Sequence, residues 1–304
     1  MSKVSIVIPC YDEQEVLNET YKRLIEVSNK FEDYELIFIN DGSTDNTLNV
    51  LKEFASENDK VKIISFSRNF GTQPGMRAGL DYATGDRIAF IDADLQDPPE
   101  LLVDMVRLID EEGYNVVYGK RTKRKGETFF KKISATMYHK LLRKLSKVDV
   151  PVDGGDFKVI DLKVANELRK LQEKNGYMRC LVAWLGYKQT GYPFERQERF
   201  AGRTKYSLSK MLKLSMDGIV SFSNSLLKIP TVLGVISLVL AIVSCVLMLV
   251  VKDNNVLNAL VSTFPMLIGA SILFSIGIYG EYVWRLFEEE KDRPIYIVDE
   301  TINI

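Results

Sequence analysis

The stretch Val4-Ser5-Ile6-Val7-Ile8-Pro9-Cys10-Tyr11-Asp12-Glu13-Gln14-Glu15 decides the fold. It is a short apolar run rich in β-branched residues, and it breaks at once into polar ones. A strand buried on both faces reads this way, because neither face needs polar alternation. The pattern recurs at Glu35–Ile39, Val61–Phe66, Arg87–Ile91 and Val116–Tyr118. Between these runs lie amphipathic segments, Glu13–Asn29, Asp45–Glu57, Gln73–Ala83 and Pro99–Glu112, whose starts carry Asp, Ser or Thr, or Pro in the first turn. Strand and helix in alternation imply an open parallel sheet covered by helices on both faces. Ligands of such sheets bind at the carboxyl ends of the strands. The polar clusters Pro9–Glu13, Asn40-Asp41-Gly42-Ser43 and Asp92-Ala93-Asp94 all fall there.

Farther along, a basic helix is expected over Glu127–Lys147, a turn at Gly154-Gly155-Asp156-Phe157 and a helix over Leu162–Lys174. The chain then changes character. Ile229–Val251 is 23 residues without a charge, and Val256–Gly280 is 25 more. At ~1.5 Å per residue either run can cross a ~30 Å hydrocarbon layer. Lys252-Asp253-Asn254-Asn255 between them fits a tight hairpin. Arg203, Lys205, Lys210, Lys213 and Lys228 precede the first run, and Arg285, Lys291 and Arg293 follow the second. That bias places both termini in the cytoplasm. Tyr206–Leu227, with apolar residues interleaved by Lys210 and Lys213, reads as an amphipathic helix on the membrane surface. The start MSKVSIVIP has no signal-peptide pattern. The tail segment Pro294–Val298 has strand character, for pairing with the first domain or with another subunit.

The totals narrow the chemistry. Across 304 residues, 40 basic and 41 acidic side chains leave a net charge of −1, which gives no bulk attraction to nucleic acid. Cys10, Cys180 and Cys245 lie far apart, with no CxxC, as in a reducing compartment. His139 is the single histidine, so a metal here is held by oxygen, which favours Mg²⁺ or Mn²⁺ over zinc. Asp92 and Asp94, two apart beyond a strand end, can face one cation, with Gln96 two residues on. Such an ion would neutralise a leaving diphosphate. Asp41 can accept from a base or ribose, although Asp41-Gly42-Ser43 also reads as a helix start. Arg68, Arg77, the run Lys120-Arg121 with Lys123-Arg124-Lys125, and Arg203 with Lys205 are candidate partners of phosphate.

The ordered set VSIVIPCYDEQE, INDGSTDNT, IDADLQDPPE, GGDF and RFAGRTKYSL, followed by two spans, resembles the family 2 glycosyltransferases of GT-A fold. Within them it resembles the polyprenyl-phosphate glycosyltransferases, and the resemblance covers essentially the whole chain. It implies a Rossmann-like GT-A catalytic domain over 1–205, an interfacial helix over 206–228, a two-helix membrane hairpin over 229–286 and a cytoplasmic tail over 287–304. It implies that Pro9, Tyr11, Glu13 and Asp41 line the nucleotide pocket, that Asp92 and Asp94 bind the metal with Gln96 close by, and that Arg68, Arg121, Arg203 and Lys205 hold donor or acceptor. Asp94 and Asp156 match its catalytic positions. Asp12 departs from the Asn common in the family. The implied reaction is inverting transfer of a hexose from a nucleotide diphosphate sugar, UDP preferred, to a polyprenyl phosphate at the cytoplasmic membrane face, by a homo-oligomer, a tetramer by the resemblance. A lipid phosphate, with a second pKa of about 6, needs little general-base help.

Other classes fit less well. A processive polysaccharide synthase would carry a QxxRW signature, which is missing, and the tryptophans are Trp184 and Trp284. A non-catalytic scaffold would not keep the Asp92/Asp94 pair with its basic neighbours, and a lipid carrier would need a polar path through the spans. A dinucleotide-dependent oxidoreductase would show GxGxxG after the first strand, where Pro9-Cys10-Tyr11-Asp12 stands instead.

Overall fold

The computed structural model describes residues 3–123, 151, 154–171, 173, 176–197, 225–250 and 254–304. These residues fall into two units: one runs to residue 197 and regains Pro294–Ile304, and the other holds the helices of 225–293.

The first unit is built on strands β1 (Val4–Cys10), β2 (Tyr34–Asn40), β3 (Val61–Phe66), β4 (Arg87–Phe90), β5 (Val116–Lys123), β6 (Gly154–Asp161), β7 (Gln189–Glu195) and β8 (Val298–Ile302). They form one sheet in the order β7-β5-β6-β4-β1-β2-β3-β8. The expected parallel core is present: β1 pairs in parallel with β2 and β4, and β2 with β3. The flanks differ from expectation. β6 runs antiparallel to β4 and β5, and β8 antiparallel to β3, so the sheet is mixed. Gly154–Phe157, read as a turn, begins β6 instead. Antiparallel pairing with β4 and β5, invisible locally, makes the segment a strand, and Phe157 is buried against Phe194 of β7.

Helices α1 (Leu17–Ser28), α2 (Thr47–Glu57), α3 (Thr72–Tyr82), α4 (Leu101–Glu112), α5 (Leu162–Lys170) and α6 (Met178–Trp184) cover this sheet. α3 lies especially close to it. A Cβ at Gly79 would collide with Val7 in β1, so a residue without a side chain lets helix and strand meet. Arg77, expected to meet phosphate, does something else. Its guanidinium donates to the carbonyls of Leu168, Arg169 and Leu171 at the end of α5, and pairs with Asp81. Arg169 answers by donating to the carbonyls of Leu80 and Ala83 at the end of α3. Each helix thus caps the other's unpaired C-terminal carbonyls.

Two carboxylates sit at opposite ends of this sheet. Glu35, at the amino end of β2, is 1% exposed. It accepts from Ser5 Oγ of β1, from the amide and hydroxyl of Thr84, and from Lys3 Nζ (3.1 Å) and Lys62 Nζ (2.8 Å). Burial alone would raise its pKa, but the bonds from Lys62, Ser5, Thr84 and Lys3 outweigh that and hold it at about 2. The other carboxylate, Asp92, belongs to the opposite end.

The second unit consists of a short 3₁₀ turn (Ser225–Lys228), α7 (Ile229–Val250) and α8 (Asn254–Glu290), which pack together. α8 runs four residues past the expected end of the hairpin at residue 286 and carries Pro265 inside it. Among the described residues one helical stretch, Pro265–Glu290, is long and apolar enough to cross a membrane, and Ile229–Ser244 is a shorter apolar helix. Both present large apolar side chains outward, such as Leu238, Ile242, Leu273 and Phe274. The basic helix expected at Glu127–Lys147 lies outside the described residues, as does the surface helix expected over Tyr206–Leu227 apart from its last three residues. The strand expected at Pro294–Val298 forms later, at Val298–Ile302, on the free edge of β3.

Candidate active site

The strand order reverses at β1, between β2 on one side and β4 on the other, and loops from all three strands meet where such sheets bind ligands. After β1 the chain does not enter a helix at Glu13. The amides of Asp12, Glu13 and Gln14 instead donate to Ser43 Oγ (3.0 Å), Thr47 Oγ1 (2.8 Å) and Asp45 Oδ2 (3.3 Å), which delays α1 to Leu17. Asp12 has a φ of 49°, a left-handed conformation that short polar residues such as Asn and Asp tolerate. Its carboxylate accepts from the Thr44 amide at 2.7 Å. Pro9, Tyr11 and Glu13 are all half-buried around this turn.

Asp41 follows β2 and is 3% exposed. Burial raises its pKa, against the pull of two backbone bonds. The Phe70 amide donates to Oδ1 (2.6 Å) and the Gly71 amide to Oδ2 (2.8 Å), so the carboxylate organises the β3–α3 loop. Each oxygen keeps a lone pair for a further donor. Gly42, at φ 63°, lies against the backbone of Arg68, where a Cβ would overlap main-chain atoms. Arg68 is exposed and its guanidinium lies 3.9 Å from the Phe70 ring centroid.

The third cluster follows β4. Thr20 Oγ1 of α1 donates to the Ala93 carbonyl at 2.7 Å and anchors the turn. Leu95 has a φ of 57°, strained for a bulky residue, and Asp94 Oδ1 accepts from the Gln96 amide at 3.1 Å. Asp92 is half-buried and its pKa is pushed up to about 7, first by burial and then by Asp94, Asp97 and Asp156. Several carboxylates therefore share this end of the sheet, in contrast to the single lysine-paired Glu35.

Cations are interleaved with these acids. Arg121 Nη2 lies 3.6 Å from Asp97 Oδ2, and Arg196 Nε lies 3.8 Å from Asp97 Oδ1. Arg179 Nη2 (3.8 Å) and Lys158 Nζ (4.0 Å) approach Asp156 Oδ1. Gly155 leaves room for the Arg121 guanidinium, which a Cβ there would meet at 2.8 Å. Among the described residues Asp97 Oδ1, Asp156 Oδ1, Arg121 Nε and Arg196 Nε are buried without a hydrogen-bond partner. Buried polar atoms left in that state are costly unless a ligand meets them.

Arg121 stands in β5, next to an exposed Lys120. Asp97, Lys158, Arg179 and Arg196 were not foreseen. The sequence shows Asp97 three residues beyond Asp94, but nothing in it brings Arg196, a hundred residues away, to the same carboxylate. Arg203 and Lys205 lie outside the described residues. Among those described, no three His, Cys, Asp or Glu side chains close into a ready-made metal cage. A pair of carboxylates with open positions for phosphate and water is nonetheless a common way to hold Mg²⁺, and Asp92 and Asp94 stand two residues apart just beyond β4.

An open sheet with acids and arginines gathered at its switch point can take up a charged ligand. The model of glycosyl transferase family 2 matches residues 5–169, and the chain belongs to that family. It is a glycosyltransferase, with the GT-A fold. It is 47% identical to an uncharacterized glycosyltransferase, YkcC, of Bacillus subtilis, over 99% of this chain and 94% of that one. It is 35% identical to the prophage bactoprenol glucosyl transferase homolog of Escherichia coli, over 97% of this chain and 98% of that one. A crystal structure of mannosyl-3-phosphoglycerate synthase from Rubrobacter xylanophilus shares the fold, with a TM-score of 0.50, 16% identity and 72% of each chain covered.

Proposed function

We propose that this chain transfers a hexose, glucose or a relative, from a UDP-sugar to a polyprenyl phosphate, with inversion, at the cytoplasmic face of a membrane. The observation that carries the reading is the acidic and basic cluster after β4, in which Asp92 lies in the field of three other carboxylates and Arg121 and Arg196 flank Asp97. The choice of acceptor is supported by the match to bactoprenol glucosyl transferases, such as that of Shigella phage SfV, which is 34% identical over 97% of this chain and 98% of that one. That match runs through the apolar helices as well as the catalytic unit.

In this reading Asp92 and Asp94 hold Mg²⁺ or Mn²⁺, with Gln96 beside them. The ion supplies charge neutralisation for the departing diphosphate. Pro9, Tyr11, Glu13, Asp41 and Arg68 bind the nucleotide end of the donor. Arg121, with Arg203 and Lys205, holds phosphate. Asp156, with Lys158 and Arg179 close to it, orients the acceptor or the sugar. The acceptor phosphate is already anionic near pH 7, so rate comes from positioning and charge stabilisation. Both apolar helices span the bilayer, residues 206–228 lie on its surface, and the catalytic unit and both termini are cytoplasmic. Anchoring raises the local concentration of lipid acceptor. The functional unit is a homo-oligomer, and a mass measurement in detergent giving only monomer would end that part of the reading.

The test is transfer of labelled sugar from a panel of UDP- and GDP-sugars to undecaprenyl phosphate, with Mn²⁺, Mg²⁺ or chelator. Metal-dependent label in the lipid fraction, lost on the order of 10³-fold in Asp94→Ala, is the expected result. Label only in another acceptor would keep the transferase and remove the lipid phosphate.

A further inference from the structure

We infer that the C-terminal segment after the last apolar helix is a positioning device for the nucleotide loop, and that Tyr296 is its central residue. The inference rests on the reading of Asp41 and Arg68 as donor-binding residues.

The chain leaves the catalytic unit for the helices and comes back as β8, which pairs with the free edge of β3. Where β3 ends, the tail stays with it. The Ser67 amide donates to the Ile297 carbonyl at 3.1 Å. The Tyr296 ring stacks on Phe66, with centroids 5.1 Å apart and planes at 17°. Phe66 in turn meets Phe70 edge-on at 5.7 Å. Phe70 carries the Arg68 guanidinium on its face and gives its amide to Asp41. A continuous series of contacts therefore runs Tyr296–Phe66–Phe70 and ends on both residues assigned to the donor. The Tyr296 hydroxyl donates to Asp81 Oδ2 at 3.0 Å, which fixes the ring from its far side. The loop Ser67–Phe70 is itself largely exposed, and Asp41 and Gly42 hold it from one side while the Phe66 stack holds it from the other. Stacked and edge-on aromatic pairs favour one relative geometry, which suits them to this role.

The experiment uses the full chain in detergent. UDP affinity is measured directly, and donor KM and kcat are measured in the transfer assay, for Tyr296→Ala, Tyr296→Leu, Tyr296→Phe and Lys52→Ala. Lys52→Ala breaks the Lys52–Glu300 pair elsewhere on the tail and is the control for general loosening. The expected result is a weakening of UDP binding and a rise of donor KM by about tenfold in Tyr296→Ala, less in Tyr296→Leu. kcat at saturating donor and KM for the lipid stay within about twofold of the wild type. Tyr296→Phe, which keeps the stack, restores UDP affinity, and Lys52→Ala leaves it unchanged. Unchanged UDP affinity in Tyr296→Ala and Tyr296→Leu would overturn the inference, as would equal losses in Lys52→Ala. A wild-type chain that binds no UDP at all would instead overturn the donor reading beneath it.

Discussion

Glu35 and Asp92 are both carboxylates in the same sheet, and they stand in opposite conditions. Glu35, at the amino end of β2, meets two lysines, two hydroxyls and an amide, and titrates at about 2. Asp92, beyond the carboxyl end of β4, has its pKa pushed up to about 7 by burial and then by Asp94, Asp97 and Asp156. One end of the sheet pairs its carboxylate with hydrogen-bonded lysines, and the other gathers several carboxylates among arginines at 3.6–3.8 Å. Stability is concentrated at the first end and the capacity to take up a charged ligand at the second, a division expected where a site needs preorganised charge.

That contrast breaks most visibly if Asp92 is made neutral. Asp92→Asn removes negative charge from a crowded acidic site, so transfer activity should fall by about 10³-fold while thermal stability holds or rises. A melting temperature that dropped with the activity would make Asp92 a structural residue like Glu35 and dissolve the comparison.

The next largest effect belongs to the other end. Glu35→Gln leaves Lys3 and Lys62 without their buried partner and should cost about 3 kcal/mol of stability near pH 7, read by denaturant unfolding of the catalytic unit. The sign with pH follows from the depressed pKa. The folded value is about 2 against 4.5 for the free group, so the contribution is complete above 4.5 and is lost as pH falls through 2. Wild type and Glu35→Gln should therefore converge in stability on acidification. A gap that stayed constant down to pH 2 would show that packing, and not the ionised carboxylate, is what the substitution removes.

The smallest effect sharpens the picture between the two ends. Arg169→Ala unpairs the Leu80 and Ala83 carbonyls and should cost about 1–2 kcal/mol. Arg77→Ala should cost about the same, through the end of α5. The double variant reads the coupling. Because each arginine caps the helix that carries the other, the two losses should add to less than their sum. Strict additivity would mean that the caps act independently, and a large activity loss in Arg77→Ala alone would return that residue to the phosphate site.

Much of this was legible in order along the chain. The strands β1 to β4 announce themselves because a strand buried on both faces needs an unbroken apolar run, and the clusters at Asp12, Asp41 and Asp92 follow because those runs end in polar turns. The antiparallel entry of β6 was not legible, since Gly154-Gly155-Asp156-Phe157 looks locally like a turn and becomes a strand only by pairing with β4 and β5. Arg77 was misread for a related reason: a basic residue near a strand end has the same local signature whether it faces phosphate or the end of a distant helix.

By itself the sequence determined which segments are strands or apolar helices, which acids stand at strand ends, and which family these motifs spell. Those properties depend on nearest neighbours and on periodicity. Tertiary structure alone decided that Arg121, Arg179, Arg196 and Lys158 converge on Asp97 and Asp156, and that Glu35 is neutralised while Asp92 is not. It also decided that a tail more than two hundred residues downstream closes over Phe66. Each of these is a contact between distant parts of the chain, and burial and charge at such a contact are set by partners that no local pattern specifies.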